Sequence, residues 1–204
     1  MEKFVKHSGV AAPLLRGNID TDAIIPSREM KRVSKLGLGE GLFAGWRYLS
    51  VETRKPDPQF VLNQAAYRDT SILLSGPNFG CGSSREHAVW ALREFGVRAI
   101  IAPGFGSIFA NNCVRNGVLA LELDDAAIRR IADWVSLDPQ ANRVLIDLTG
   151  QVVQAADASY PFSVDAGARR MLLEGQDAIA LTQTRWQQIS AFHEQRKRRR
   201  PWLY

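Results

Sequence analysis

One stretch, Gly76-Pro77-Asn78-Phe79-Gly80-Cys81-Gly82-Ser83-Ser84-Arg85-Glu86-His87-Ala88, restricts what this chain can fold into more than any other. Ahead of it, Thr70-Ser71-Ile72-Leu73-Leu74 is a short apolar run of strand type. Behind it, Ala88, Ala91, Leu92 and Phe95 recur at i, i+3, i+4 and i+7, which marks one face of a helix. Gly96 ends that helix, and Val97 to Ala102 reads as a second buried strand. The unit is strand, glycine-rich loop, helix, strand. Ser83 with Glu86 satisfies S-x-x-E, so the helix is expected to start at one of the two serines. Gly76, Gly80 and Gly82 allow sharp turns and leave bare N–H groups beside the helix's positive end. Such a loop attracts an anion, and Ser83, Ser84 and Arg85 stand where it would sit.

The size of the chain, 204 residues, suits one domain with a substantial core, and 46% hydrophobic with 23% charged residues is ordinary for a globular protein. Its net charge of +5 is local. Arg196, Lys197, Arg198, Arg199 and Arg200 account for all of it, so the rest of the chain balances and no nucleic-acid footprint is expected across the domain. Two cysteines, Cys81 and Cys113, form no zinc or iron–sulfur ligand pattern. No apolar run approaches the ~18 residues of a membrane span, and the charged N-terminus lacks a signal peptide's apolar segment. A soluble, reduced, cytoplasmic protein is expected, with no membrane partner.

Phe4, Val5 and Val10 to Leu14 predict a first strand. The stretch Asn18-Ile19-Asp20-Thr21-Asp22-Ala23-Ile24-Ile25-Pro26 follows, read either as an Asx-bonded turn or as a carboxylate at the edge of a site. Arg28 to Arg47 is basic, glycine-rich and weakly patterned, which predicts a mobile loop flanking a short helix and carrying binding determinants. Arg54 to Pro58 is a surface turn. Pro103-Gly104-Phe105-Gly106-Ser107-Ile108-Phe109 superficially resembles a dinucleotide fingerprint, but Phe109 stands at the third glycine position. A tight turn into a helix ending near Asn116-Gly117 is the better reading. Val118 to Leu123 is a strand, and Asp124-Asp125 caps a helix through Trp134. Arg143 to Val153 reads as a hairpin, and Asp165 to Leu173 as a helix closed by Gly175. A final helix spans Thr182 to Arg196. No repeats are evident. One domain over residues 1–190, with a solvated, disordered basic tail over 191–204, is the expected organisation.

Around Ser83, neither the hydrolase elbow G-x-S-x-G nor the phosphate-cradling G-x-x-x-x-G-K-[ST] is present. His87, four residues on, is either a base or a structural hydrogen-bonding residue. What remains is a serine in positive potential from glycine amides, a helix end and Arg85. That setting stabilises an alkoxide and so favours serine itself as a base. The planar fork of Arg85 suits a carboxylate. The competing reading is a capping box that only starts a helix.

The block Asn78 to Ala88 resembles the signature of the aconitase superfamily's swivelling domain. Asn18 to Pro26, Gly41-Leu42-Phe43 with Trp46-Arg47-Tyr48, and Ile100-Ile101-Ala102-Pro103 are similar to its free-standing bacterial form, the small-subunit family of the isopropylmalate isomerases. The resemblance runs from about Glu2 to about Thr182. It implies an α/β fold: a single swivelling β/β/α domain, with a compact, barrel-like mixed-sheet core flanked by helices. It also implies a hydro-lyase of leucine biosynthesis that isomerises 2- and 3-isopropylmalate by dehydration and rehydration. Ser83 would be the catalytic base, Arg85 and Ser84 would bind the small dicarboxylate substrate, and Asp22 would pair with a histidine of the partner. The 4Fe–4S cluster would belong to a large subunit, with none in this chain. A further substrate arginine of the superfamily has Arg28, Lys31 and Arg32 as candidates. Related substrates such as citraconate or methylmalate fit the same architecture. An RNA-binding role through the basic tail is the alternative of a different class.

Overall fold

The computed structural model describes residues 1–30 and 36–204. In chain order its regular elements are β1 (Lys6–Leu14), α1 (Thr21–Ile24), α2 (Ala44–Arg47), β2 (Tyr48–Ser50), β3 (Lys55–Pro56) and β4 (Thr70–Ser75). Then come α3 (Glu86–Phe95), β5 (Ala99–Ala102), α4 (Ser107–Arg115), β6 (Leu119–Glu122), α5 (Asp125–Leu137), β7 (Val144–Asp147), β8 (Val152–Ala155) and β9 (Ala158–Pro161). Helices α6 (Ala166–Glu174), α7 (Ala178–Gln183) and α8 (Trp186–Arg199) complete the chain. Seven strands form one sheet in the order β6-β5-β4-β1-β7-β8-β9, which curls into a half-barrel.

Strand β1 joins two halves of this sheet. It pairs parallel with β4 over Val10 to Leu14 and antiparallel with β7 over Lys6 to Gly9, with a register shift at Val10/Ala11. The parallel half explains why Ile72-Leu73-Leu74 is unbroken apolar sequence rather than alternating: both its faces are covered. Leu73, Ile100 and Ala102 pack with Ala88, Val89 and Leu92 of α3 and with Phe109 and Cys113 of α4. Ile72, Leu74 and Ile101 face the other way, onto Ile128, Ile131 and Val135 of α5, and Leu172 of α6 lies in the same cluster. Because β1, β4 and β5 run parallel, the loops that follow them emerge along one edge of the sheet, where α/β folds place ligands.

Several expectations change. The part of the basic loop from Leu38 to Ala44 is core: Leu38, Leu42, Phe43 and Ala44 are all 1% exposed or less. The Glu94 carboxylate anchors it by accepting the N–H groups of Gly37 (2.6 Å) and Gly39 (2.8 Å). These residues form a 3-10 turn and then a left-handed Phe43 (φ +50°), so no helical period advertises their burial. The C-terminal hairpin gains a third strand, β9. The final helix is two helices, α7 and α8, the second running on to Arg199. The short helix in the basic loop is α2.

Candidate active site

Three loops build the site: residues 15–20 after β1, 76–85 after β4 and 103–106 after β5. Asn18 N–H donates to Pro77 O (2.8 Å), Gly80 N–H to Ile19 O (2.7 Å) and Thr21 N–H to Cys81 O (3.0 Å). Phe79 N–H donates to Gly104 O (3.1 Å) and Gly106 N–H to Phe79 O (2.9 Å). The buried Phe79 ring packs edge-on against Phe105 and Phe109, with centroids 6.3 and 5.4 Å away. Close approach dictates two glycines. A Cβ on Gly80, whose φ is +72°, would lie 2.1 Å from the Phe109 ring, and one on Gly106 would lie 2.5 Å from Gly80 O. Gly76 and Gly80 are therefore not the anion donors expected from the sequence, since their N–H groups are spent on Arg16 O and Ile19 O.

The loops enclose a cleft of about 210 Å³ whose lining includes Thr21, Gly82, Ser83, Ser84, Arg85 and Ser107. The capping box is not formed. Helix α3 begins at Glu86, and its N-cap is Arg85 in an extended conformation with no side-chain cap bond. The Glu86 carboxylate instead accepts from Asn116 Nδ2 (2.8 Å), and Asn116 Oδ1 accepts from Trp90 Nε1 (3.0 Å). This leaves the Ser83 and Ser84 side chains exposed and without a hydrogen bond among the described residues. His87 packs on the Trp90 ring (4.7 Å) and does not line the cleft. Helix α4 also starts at the cleft, behind Gly106, which has no side chain to cap it. By contrast, Asp124, Asp165 and Asp177 close α5, α6 and α7. Two uncapped helix ends thus open into one cleft, each with unsatisfied N–H groups and the positive end of its dipole.

Helix α1 supplies two further grips. Thr21 Oγ1 donates to Ser83 O at 2.8 Å. Asp22 accepts a hydrogen bond from the Arg85 guanidinium, which holds its carboxyl below the usual aspartate range, with a weaker contribution from Ser27. Ser83, Ser84, Arg85 and Asp22, drawn from stretches some sixty residues apart, are therefore neighbours. Arg28 is exposed, beside Glu29 at 3.7 Å, and is not part of the cleft lining. Lys31 and Arg32 lie outside the described residues. Sequence reasoning missed Thr21, Ser107 and Ile108 as cleft residues. A signal existed: Pro77-Asn78-Phe79-Gly80 and Pro103-Gly104-Phe105-Gly106 are the same P-x-F-G turn after successive parallel strands, a short repeat that went unread.

The chain's own donors do not suit an iron–sulfur cluster, which needs about four thiolates. Cys113 is fully buried, with its thiol pushed far up by that burial, and Cys81 is the lone thiol at the cleft. Among the described residues, no three His, Cys, Asp or Glu side chains group as metal ligands. Among the described residues, no helix is long and apolar enough to cross a membrane.

Residues 1–126 match the family model described as the aconitase C-terminal domain. The chain is 60% identical to a 3-isopropylmalate dehydratase small subunit of Cupriavidus necator, covering 100% of this chain and 99% of that one. It is 47% identical to the protein of that name from Paramagnetospirillum magneticum, with 100% of both covered. The crystal structure of 3-isopropylmalate dehydratase from Methanocaldococcus jannaschii superposes with a TM-score of 0.68 at 25% identity, over 92% of this chain and 99% of the other. The half-barrel, the cleft loops and these relatives agree: the chain belongs to the family of 3-isopropylmalate dehydratase small subunits, within the aconitase superfamily.

Proposed function

We propose that this chain is the lid-forming half of a cytoplasmic hydro-lyase that interconverts 2- and 3-isopropylmalate in leucine biosynthesis, active only when paired with its large subunit. The observation that carries this reading is the convergence of Ser83, Ser84 and Arg85 with two uncapped helix ends in one cleft. Ser83 works as its alkoxide: Oγ takes the proton from the carbon next to a substrate carboxylate, becoming the hydroxyl, and gives that same proton back in rehydration. Positive potential from the surrounding N–H groups, the helix ends and Arg85 lowers the cost of the serine alkoxide. Arg85 binds a substrate carboxylate two-pronged, and Ser84 donates a hydrogen bond to the substrate. Asp22, which balances Arg85 in the free chain, passes to a histidine of the large subunit in the complex and releases the guanidinium for substrate. A 4Fe–4S cluster held by the large subunit supplies the Lewis acid for the departing hydroxyl. Residues 1–190 form the catalytic domain, and 191–204 act as an appendage with no part in the chemistry.

The test is reconstitution. Each subunit is purified alone and assayed with 3-isopropylmalate, then both are mixed. Turnover is expected only from the mixture. Turnover by this chain alone, or none when it is added to a cluster-loaded large subunit, overturns the reading.

A further inference from the structure

Thr21 is 2% exposed, and its hydroxyl points at the backbone of a residue 62 positions away. Asp20 Oδ1 already caps α1 through Ala23 N–H (2.7 Å), so the helix does not need this hydroxyl. Nor do the two loops need it to meet. Backbone bonds from Gly80 N–H to Ile19 O and from Thr21 N–H to Cys81 O tie them together. After Cys81 that ladder ends. Gly82 turns away with φ +84°, and Gly82 to Ser84 cross an exposed gap before Arg85, the N-cap of α3. Within this gap the Thr21 Oγ1 to Ser83 O bond, at 2.8 Å, is the one tether among the described residues.

We propose that Thr21 is the positioning residue of the base loop: its buried hydroxyl fixes the Ser83–Ser84 peptide and thereby the presentation of the Ser83 side chain and the Ser84 N–H in the cleft. A trans peptide is planar, with C=O and N–H directed oppositely. Holding Ser83 O against Thr21 turns the Ser84 N–H away from Thr21, where no described group accepts it and a developing oxyanion can. The same bond restricts rotation about the Ser83 backbone, from which the Ser83 Oγ projects. Without it, Gly82 is a free swivel, and a base displaced by about 1 Å loses about 10²-fold in rate. The proposal rests on the reading of Ser83 as base.

The experiment compares Thr21→Val and Thr21→Ser in the assembled two-subunit enzyme, with kcat, KM, subunit affinity and melting temperature measured for each. Thr21→Val keeps the shape and removes the donor. It is expected to lower kcat by about 10- to 100-fold with KM within about 2-fold, while Thr21→Ser stays within about 3-fold of the parent. Full turnover by folded Thr21→Val overturns the proposal, as does a serine variant as slow as the valine one. A loss seen only as weaker subunit pairing also overturns it. Should Thr21→Val not fold, Thr21→Ala against Thr21→Ser asks the same question: serine is expected at least 10-fold faster, and equal rates refute the role. Ser83→Ala serves as the reference. If Ser83→Ala is inactive while Thr21→Val is fully active, only the positioning role falls. If Ser83→Ala is fully active, the base reading itself falls.

Discussion

Replacing Gly80 by alanine tests the close packing that brings the cleft loops together. Two costs add at this position. An L-residue held in the left-handed region costs about 1–2 kcal/mol relative to glycine. The new Cβ would also lie 2.1, 2.4 and 2.6 Å from the Cγ, Cδ1 and Cδ2 atoms of the Phe109 ring, which is buried and packed against Phe79. Overpacking of this kind costs roughly 1–3 kcal/mol. The expected destabilisation is therefore about 2–5 kcal/mol, or a fall in melting temperature of roughly 5–20 °C for a chain of this length. Gly82→Ala is the internal control. Its φ of +84° carries the same backbone strain, but the added Cβ meets nothing closer than Asp20 Cβ at 3.4 Å, so only the first cost, about 1–2 kcal/mol, applies. Calorimetry or denaturant melts of the two variants beside the parent decide the matter. Equal losses for Gly80→Ala and Gly82→Ala would refute the argument from Phe109.

Three further outcomes are expected. A thiol reagent should modify Cys81 in the folded chain and reach Cys113 only on unfolding, because Cys113 is fully buried; two equivalents reacting at once would contradict this. The Asp22 carboxyl should titrate below the ordinary aspartate range in the free chain and move back up in Arg85→Ala, as followed by carbon-detected NMR. Its folded pKa is the depressed one, so the stability it contributes is complete above about 3.9 and is lost as pH falls through the lower folded value. Arg85→Lys keeps a charge but loses the fork, so in the assembled enzyme KM should rise and kcat fall together; a change in kcat alone would remove the carboxylate-binding role.

The β4–loop–α3–β5 unit was legible because its signals are local: an apolar run, a glycine cluster, a 3.6-residue period and a stopping glycine. Burial of Leu38 to Ala44 was not, because 3-10 turns and a left-handed Phe43 carry no period to read. Strand β9, Ala158-Ser159-Tyr160-Pro161, is only four residues long, with half-buried Ala158 and Tyr160 alternating with exposed Ser159 and Pro161, too short and weak an apolar pattern to read. The S-x-x-E pattern misplaced the start of α3 because spacing does not reveal competing partners. Glu86 bonds to Asn116, thirty residues away, and the serines stay outside the helix. The Asp22–Arg85 pair and the Thr21–Ser83 bond join residues more than sixty apart, contacts that arise only once β1 and β4 lie side by side. The sequence therefore pointed to the glycine-rich cleft loop, while the groups that hold it came from the fold.

The central claim is that the Ser83 hydroxyl moves the substrate proton. Its most direct test is the turnover of Ser83→Ala assembled with saturating large subunit. Ser83 makes no side-chain hydrogen bond within the described chain, so its loss should leave the melting temperature and subunit pairing essentially unchanged. Removal of a positioned base should lower kcat by about 10²- to 10⁴-fold, roughly 3 to 5 kcal/mol of barrier. A well-folded, fully paired Ser83→Ala enzyme that turns over 3-isopropylmalate at the parent rate would contradict the claim.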